Sequence, residues 1–300
     1  QGQHERSRLH RRGGRRGKER HRNLSAASVA RSGGALGFRV PAVCRPLPTL
    51  AAYQGSKRRY ACAITNLLEA RFGPAASWGR FYDVCCGTAS VAREVAARAP
   101  ALPIVLVDAG LWGAFWVAFV ANRDAVIAAV ERLHGADAGA SCRALNATPV
   151  GSGAEGAAQF LVIQRAMLMG RSPTVEALPA GGSAWATACV PRPVGGGDKL
   201  IALLRGLPRF AEARHEDANR TALAGPGVLY VDPNYIGLKA GHYSSALDAA
   251  GVTRRALDAG LHVAVSHHQP YPGLDADAAV VATSRCQSGV CRRELLLFAG

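Results

Sequence analysis

The chain has 300 residues, a formal net charge of +15, and a composition that is 49% hydrophobic and 6% aromatic. It is too apolar to be disordered throughout and long enough for one large core or two modest ones. Its eight cysteines form no C-x-x-C pair and no histidine stands at finger spacing, which excludes a zinc-finger architecture and predicts reduced, mostly buried thiols.

Residues 1–23 hold eight Arg and one Lys against two Glu, a balance of +7. Such a stretch cannot bury enough surface to fold alone, so residues 1–46 are expected to be a basic, solvated tail and linker, closed by Pro41, Pro46 and Pro48. Its charge suits a polyanion. A competing reading is an organellar transit segment, because Arg22, Arg31 and Arg39 alternate with Ser and Ala without acids from Asn23 to Val43. No apolar run follows the Arg pairs, so a secretory signal does not fit.

Lys57 to Arg71 has helical spacing, with Ile64, Leu67, Leu68 and Phe72 on one side. Phe81 to Cys86 reads as a buried strand, Thr88 to Ala99 as a helix, Ile104 to Asp108 as a second buried strand, and Trp112 to Leu133 as largely helical. Leu102 to Ala121 is apolar except for Asp108, but that acid and the following Gly110 and Gly113 mark a strand end and turn, not a membrane span. From about Gly135 to Asp198 the regularity is lost, apart from a helix at Ala157 to Met169. It resumes with a helix at Lys199 to Leu204, a strand at Val228 to Asp232, a helix at Ser244 to Asp258 and a strand at His262 to Ser266. A closing hairpin is expected from Val280 to Ser284 and Arg293 to Phe298. This alternation predicts an α/β fold with a doubly wound, mostly parallel sheet spanning 47–300, interrupted by an irregular, partly helical insertion at about 135–198.

Ligands of such sheets bind beyond the carboxyl ends of the strands, which would bring Asp83 with Cys86 and Gly87, Asp108, and Asp232 with Pro233 to one crevice. Asp83-Val-Cys-Cys-Gly87-Thr-Ala-Ser90 gives a strand, a glycine turn and a helix start, which lets a cofactor approach the backbone. Asp108 ends the next strand, where a carboxylate accepts two ribose hydroxyls. Asp232-Pro233-Asn-Tyr235 offers a carboxylate and a carbonyl to hold the hydrogens of an exocyclic amine, and an aromatic ring to stack on a base. These are the parts that amine methylation requires.

In order, Tyr53-Gln-Gly-Ser-Lys57, Tyr82-Asp-Val-Cys-Cys-Gly-Thr-Ala89, Val105-Leu-Val-Asp-Ala109, Tyr230-Val-Asp-Pro-Asn-Tyr235 and Arg292-Arg-Glu-Leu-Leu-Leu-Phe298 resemble the Dam-type adenine-specific DNA methyltransferases of phages and bacteria. The resemblance covers roughly residues 50 to 300. It implies a class I S-adenosylmethionine-dependent methyltransferase fold, methylation of adenine N6 in double-stranded DNA with base flipping, a role in restriction-modification or phage biology, and a cytoplasmic location. It further implies that Tyr53 and Lys57 line the S-adenosylmethionine site, with Lys57 also able to face DNA, that Asp108 holds the ribose, and that Asp232, Pro233 and Tyr235 handle the adenine. No metal and no membrane are expected, and the enzyme is expected to be monomeric.

Two positions depart from the family pattern: Asn234 stands where a second proline is usual, and Ala89 where a second glycine is usual. The added methyl at Ala89 is expected to be tolerated only if its φ is negative. Methylation of cytosine N4 or of RNA shares the same acid-aromatic site, and a non-catalytic DNA-binding relative is the rival of another class. The segment Gly237 to Ser245, with His242 and Tyr243, is either a closing loop or a plain surface loop. Gly151-Ser-Gly153-Ala-Glu-Gly156 spells a dinucleotide fingerprint but follows no buried strand. His267-His268 is read as a solvated turn with the two rings on opposite faces.

Overall fold

The computed structural model describes residues 45–53, 55–135, 151–166, 197–233, 247–285 and 291–299. Among these residues seven strands form one sheet: β1 (Phe81–Val84), β2 (Ile104–Asp108), β3 (Glu212–His215), β4 (Gly227–Val231), β5 (Leu261–His267), β6 (Asp277–Arg285) and β7 (Cys291–Ala299). Their order is β3-β2-β1-β4-β5-β7-β6. The first five are mutually parallel and β7 runs antiparallel between β5 and β6. This is a doubly wound, mostly parallel sheet closed by an antiparallel pair, as the alternation of elements predicts.

The apolar strand runs are buried on both faces, and the alternation of side chains divides the core in two. Phe81, Ile104, Leu106, Val228 and Tyr230 face one layer. That layer holds α1 (Ala61–Phe72), α2 (Ser90–Arg98), α3 (Leu111–Ala121), α4 (Arg123–Gly135), α5 (Gly153–Ala166) and α6 (Gly197–Arg205). Tyr82, Val84, Val105, Val107, Leu229 and Val231 face the other, against α7 (Ala249–Asp258).

The register decides what happens at the strand ends. Val84 lies opposite both Val107 and Val231, so the next residues, Cys85, Asp108 and Asp232, fall in one row across β2, β1 and β4. The ladder runs one step further at Asp232, whose N–H donates to the Val84 carbonyl at 3.0 Å. β1 and β4 are also where the chain reverses its direction of winding, the place where open sheets part to admit a ligand.

Three expectations need correction. Trp112 to Leu133 is two helices bent by 116° at a break, where Asn122 Oδ1 accepts the Ala125 N–H and starts α4. No single helix among the described residues is long and apolar enough to cross a membrane, and Trp112, Phe115, Trp116 and Phe119 of α3 are buried in the protein core. Cys62 is not a free thiol but disulfide-bonded, whereas Cys85 and Cys86 are free. His267 is fully buried at the end of β5, and its ring lies 4.5 Å from that of His268 at a 33° tilt, so the pair neither sits in a solvated turn nor points to opposite faces. Chain reversal right after β5 lets the two rings meet, where a straight strand would separate them: Gln269 turns back so that its carbonyl lies 2.8 Å from His267 Nδ1.

The expected insertion is in part welded to the core. Helix α5 buries Ala157, Ala158, Phe160 and Leu161, with Phe160 set edge-on to Trp112 at 5.1 Å. Gly156 sits there because a Cβ would lie 1.9 Å from the Gly151 carbonyl oxygen, a packing reason for glycines that only spell a nucleotide fingerprint. Residues 136–150 and 167–196 lie outside the described residues.

Candidate active site

The turn from β1 into α2 is built from left-handed residues: Cys85 at φ 59°, Gly87 at φ 49° and Ala89 at φ 49°. The condition set for tolerating the Ala89 methyl, a negative φ, is therefore not met, yet the residue is accommodated. Its methyl goes into the hydrophobic core, with the residue fully buried, and is not among the groups lining the pocket. The left-handed conformation of a residue with a Cβ costs roughly 1–2 kcal/mol, but it leaves the cofactor side of the turn open. Gly87 has the stricter requirement. A Cβ there would lie 2.7 Å from the Tyr53 ring, so the ring packs directly on the bare backbone. The Gly87 carbonyl accepts the Trp116 indole N–H at 2.8 Å, which ties the turn to α3.

Two carboxylates brace this turn. Asp83, on β1 and buried, accepts the Ala92 N–H at 3.0 Å and so holds the first turn of α2. Asp108, ending β2, accepts the Gly87 N–H at 2.9 Å through one oxygen and the Gly110 N–H at 2.8 Å through the other. The Gly113 N–H also bonds to this carboxylate, and the acceptor capacity left over suits ligand hydroxyls.

The opposite wall comes from the segment before α1. A 3-10 turn at Lys57–Arg59 is capped by Ser56, whose hydroxyl also meets that of Thr88 at 3.2 Å. This places Lys57, 6% exposed, inside the pocket with its Nζ 2.6 Å from Asp232 Oδ1 and 3.7 Å from Glu294 Oε1. The pocket is lined by Tyr53, Gly55, Ser56, Lys57, Asp83, Cys85, Cys86, Thr88, Ser90, Val91, Tyr230 and Asp232.

Burial sets the protonation equilibria. Desolvation pushes the Asp232 carboxyl up to about 6; the Lys57 ammonium opposes this and the Glu294 carboxylate adds to it. Asp83 is also raised by burial, against the Ala92 N–H bond, and Asp108 is raised by burial against its bonds from Gly87 and Gly110. Raised to about 6, the Asp232 carboxyl titrates nearer neutrality than an ordinary aspartate and responds to changes in the charges around it.

Of the residues expected at the site, Tyr53, Lys57, Asp83, Cys86 and Asp232 line one pocket, Gly87 forms its turn, and Asp108 holds that turn from the neighbouring strand. Pro233 follows Asp232 and is buried. Tyr235, Asn234 and the Gly237 to Ser245 segment lie outside the described residues. Sequence reasoning missed Ser266 of β5, whose hydroxyl is hydrogen-bonded to Glu294, and it gave Glu294 no role. The available signal was the single acid at Glu294 just before the apolar run Leu295 to Phe298 of a closing strand. Among the described residues no group of three or more His, Cys, Asp or Glu could hold a metal ion.

No family model matches the chain, and no curated protein does. Among solved structures it is similar to the mitomycin 7-O-methyltransferase MmcR, at 12% identity and a TM-score of 0.31, over 80% of this chain and 53% of that one. The chain thus spans about half the length of that protein. The fold therefore rests on the strand order described above.

Proposed function

We propose that the protein is an S-adenosylmethionine-dependent methyltransferase acting on the exocyclic N6 amine of adenine in double-stranded DNA. The observation that carries this reading is Asp232, an ionisable carboxylate at the carboxyl end of β4, beside the pocket that opens where the sheet reverses its winding.

The residues present fit S-adenosylmethionine. Tyr53 over the bare Gly87 backbone forms a flat apolar cradle, Asp108 supplies acceptors for ribose hydroxyls, and Asp232 puts negative charge where a cationic ligand would lie. When bound, it supplies a methyl group on a positively charged sulfur. The chain's own task is to make a poor nucleophile attack. An adenine amine shares its lone pair with the ring, and acceptors at Asp232 and the Pro233 carbonyl hold its two hydrogens so that the nitrogen turns pyramidal and the lone pair is directed. The Asp232 N–H is fixed by the Val84 carbonyl, so the strand ladder positions the carboxylate before any substrate arrives. A base inside a duplex cannot reach such a pocket and must be flipped out, with Tyr235 available to stack on it. The chain's +15 charge supports a polyanionic substrate.

The test is incubation of the purified protein with tritiated S-adenosylmethionine and unmethylated duplex DNA, followed by nucleoside separation. Label in N6-methyldeoxyadenosine is the expected outcome. Label in N4-methyldeoxycytidine, or only with an RNA substrate, would move the reading to another amino-methyltransferase. No transfer to any nucleic acid would remove it.

A further inference from the structure

We propose that Glu294, on the antiparallel strand β7, is a positioning residue of the candidate active site, holding the Lys57 ammonium in place between two carboxylates so that Asp232 stays available to a substrate amine. This rests on the reading of Asp232 as the acceptor.

The arrangement joins parts that are distant in sequence. Lys57 Nζ lies 2.6 Å from Asp232 Oδ1, 3.4 Å from the Gly55 carbonyl and 3.7 Å from Glu294 Oε1. The acids come from β4 and β7, with β5 between them, and Ser266 of β5 donates to the same Glu294 oxygen that faces Lys57. Glu294 is 11% exposed and Lys57 6%, so neither charge is dissolved by solvent. A buried ammonium with Asp232 as its only charged partner would bind that carboxylate fully and compete with an incoming amine for its oxygens. A second carboxylate, itself anchored by a hydroxyl, divides the attraction. It also opposes the ionisation of Asp232, which keeps that group from becoming a permanently charged, fully paired acid.

The charged and titratable groups facing this cluster are Lys57 from the 3-10 turn, Asp83 of β1, Cys85 of the following turn, Asp108 of β2, Tyr230 of β4, His267 of β5 and Glu294 of β7. Only Glu294 and Asp232 approach the Lys57 ammonium within ion-pair distance among the described residues.

The experiment compares the full chain with Glu294→Gln, an isosteric change that keeps an oxygen for Ser266 but removes the charge. Carboxyl carbons are followed by NMR through a pH titration, and the Asp232 signal is assigned by its absence in Asp232→Asn. With the Glu294 charge gone, Asp232 is expected to titrate at lower pH than in the parent, with its proton affinity reduced about threefold or more. Glu294→Asp, which withdraws the charge, should move it the same way by less, and serves if the glutamine variant does not fold. In methyl transfer, kcat should fall while KM for S-adenosylmethionine changes little, and the acid limb of the rate profile should move down with Asp232. An Asp232 titration unchanged in both variants overturns the inference, because a merely structural glutamate would lower the melting temperature without moving that midpoint. The NMR readout needs no turnover. A parent that transfers no methyl group would therefore defeat the proposed function while leaving the Glu294–Lys57–Asp232 coupling measurable.

Discussion

Asp232 carries an energetic cost that its position imposes. Its carboxyl is raised from the ordinary 3.8 to about 6, chiefly by burial. A raised value means that folding favours the protonated form. The corresponding stability is fully present below about pH 4 and is lost as the pH climbs through about 6, a change of roughly 3 kcal/mol at most. His267, lowered by burial, works in the opposite sense on acidification. The difference between parent and Asp232→Asn cancels His267 and isolates the aspartate. That difference, measured by urea unfolding at several pH values, should change between pH 4 and 6.5 and be flat above. Parallel curves through the whole range would show that Asp232 is not the perturbed group. The same substitution should abolish methyl transfer. Asp108 is predicted to act on binding instead. Asp108→Ala strips acceptors from the Gly87 and Gly110 amides as well as from the ligand, so S-adenosylmethionine affinity should drop tenfold or more by calorimetry. At this scale the acids at strand ends were legible in the sequence, because an Asp closing an apolar run has few structural uses. Glu294 was not, since its meaning depends on β7 being inserted beside β5, a long-range pairing that no local pattern encodes.

The β1–α2 turn shows what an element can require of single positions. Three left-handed residues in five leave the backbone bare toward Tyr53 and send the Ala89 methyl into the core. Gly87→Ala puts a Cβ 2.7 Å from the Tyr53 ring at a φ that disfavours it, so the ring must shift; a loss of about 1–2 kcal/mol in stability and weaker cofactor binding are expected together. Ala89→Val should be worse for stability, because a β-branched side chain tolerates that φ least and must enter a packed core. Ala89→Gly exchanges relief of strain for a lost buried methyl and should fall within about 1 kcal/mol of the parent. If thermal melts rank the valine variant as the mildest of the three, the turn is not as described. The buried strands and the helices around them were readable because apolar runs of four or five residues between turn signals leave little choice. β3 was not, because Glu212–His215 is a polar, partly exposed edge strand that carries no hydrophobic signal at all. The break at Asn122 was hidden in the same way. The polar triplet Asn122-Arg123-Asp124 reads as one exposed turn of a continuous helix, and only the cap at Ala125 reveals that a new helix begins.

For the molecule as a whole, charge and fold have different tasks. The described site gathers four acidic residues, Asp83, Asp108, Asp232 and Glu294, and one lysine, which pairs with the last two, while the chain as a whole carries +15. A pocket rich in carboxylates suits a cationic cofactor and repels a phosphate, so attraction of the proposed DNA substrate would come from elsewhere on the chain. Residues 1–23 supply +7 of the excess, as Arg among Gly with no pattern that would fix side chains against base edges. Their removal should therefore leave the methylated base and its sequence context unchanged, and weaken binding most at low salt. The slope of log affinity against log salt should fall by roughly 0.9 for each phosphate the segment neutralises. Titrating both proteins with salt on the same duplex measures this directly. Equal slopes would assign the attraction to the folded body and leave the basic segment with a targeting role, whereas a changed methylation context would mean that the segment reads sequence after all.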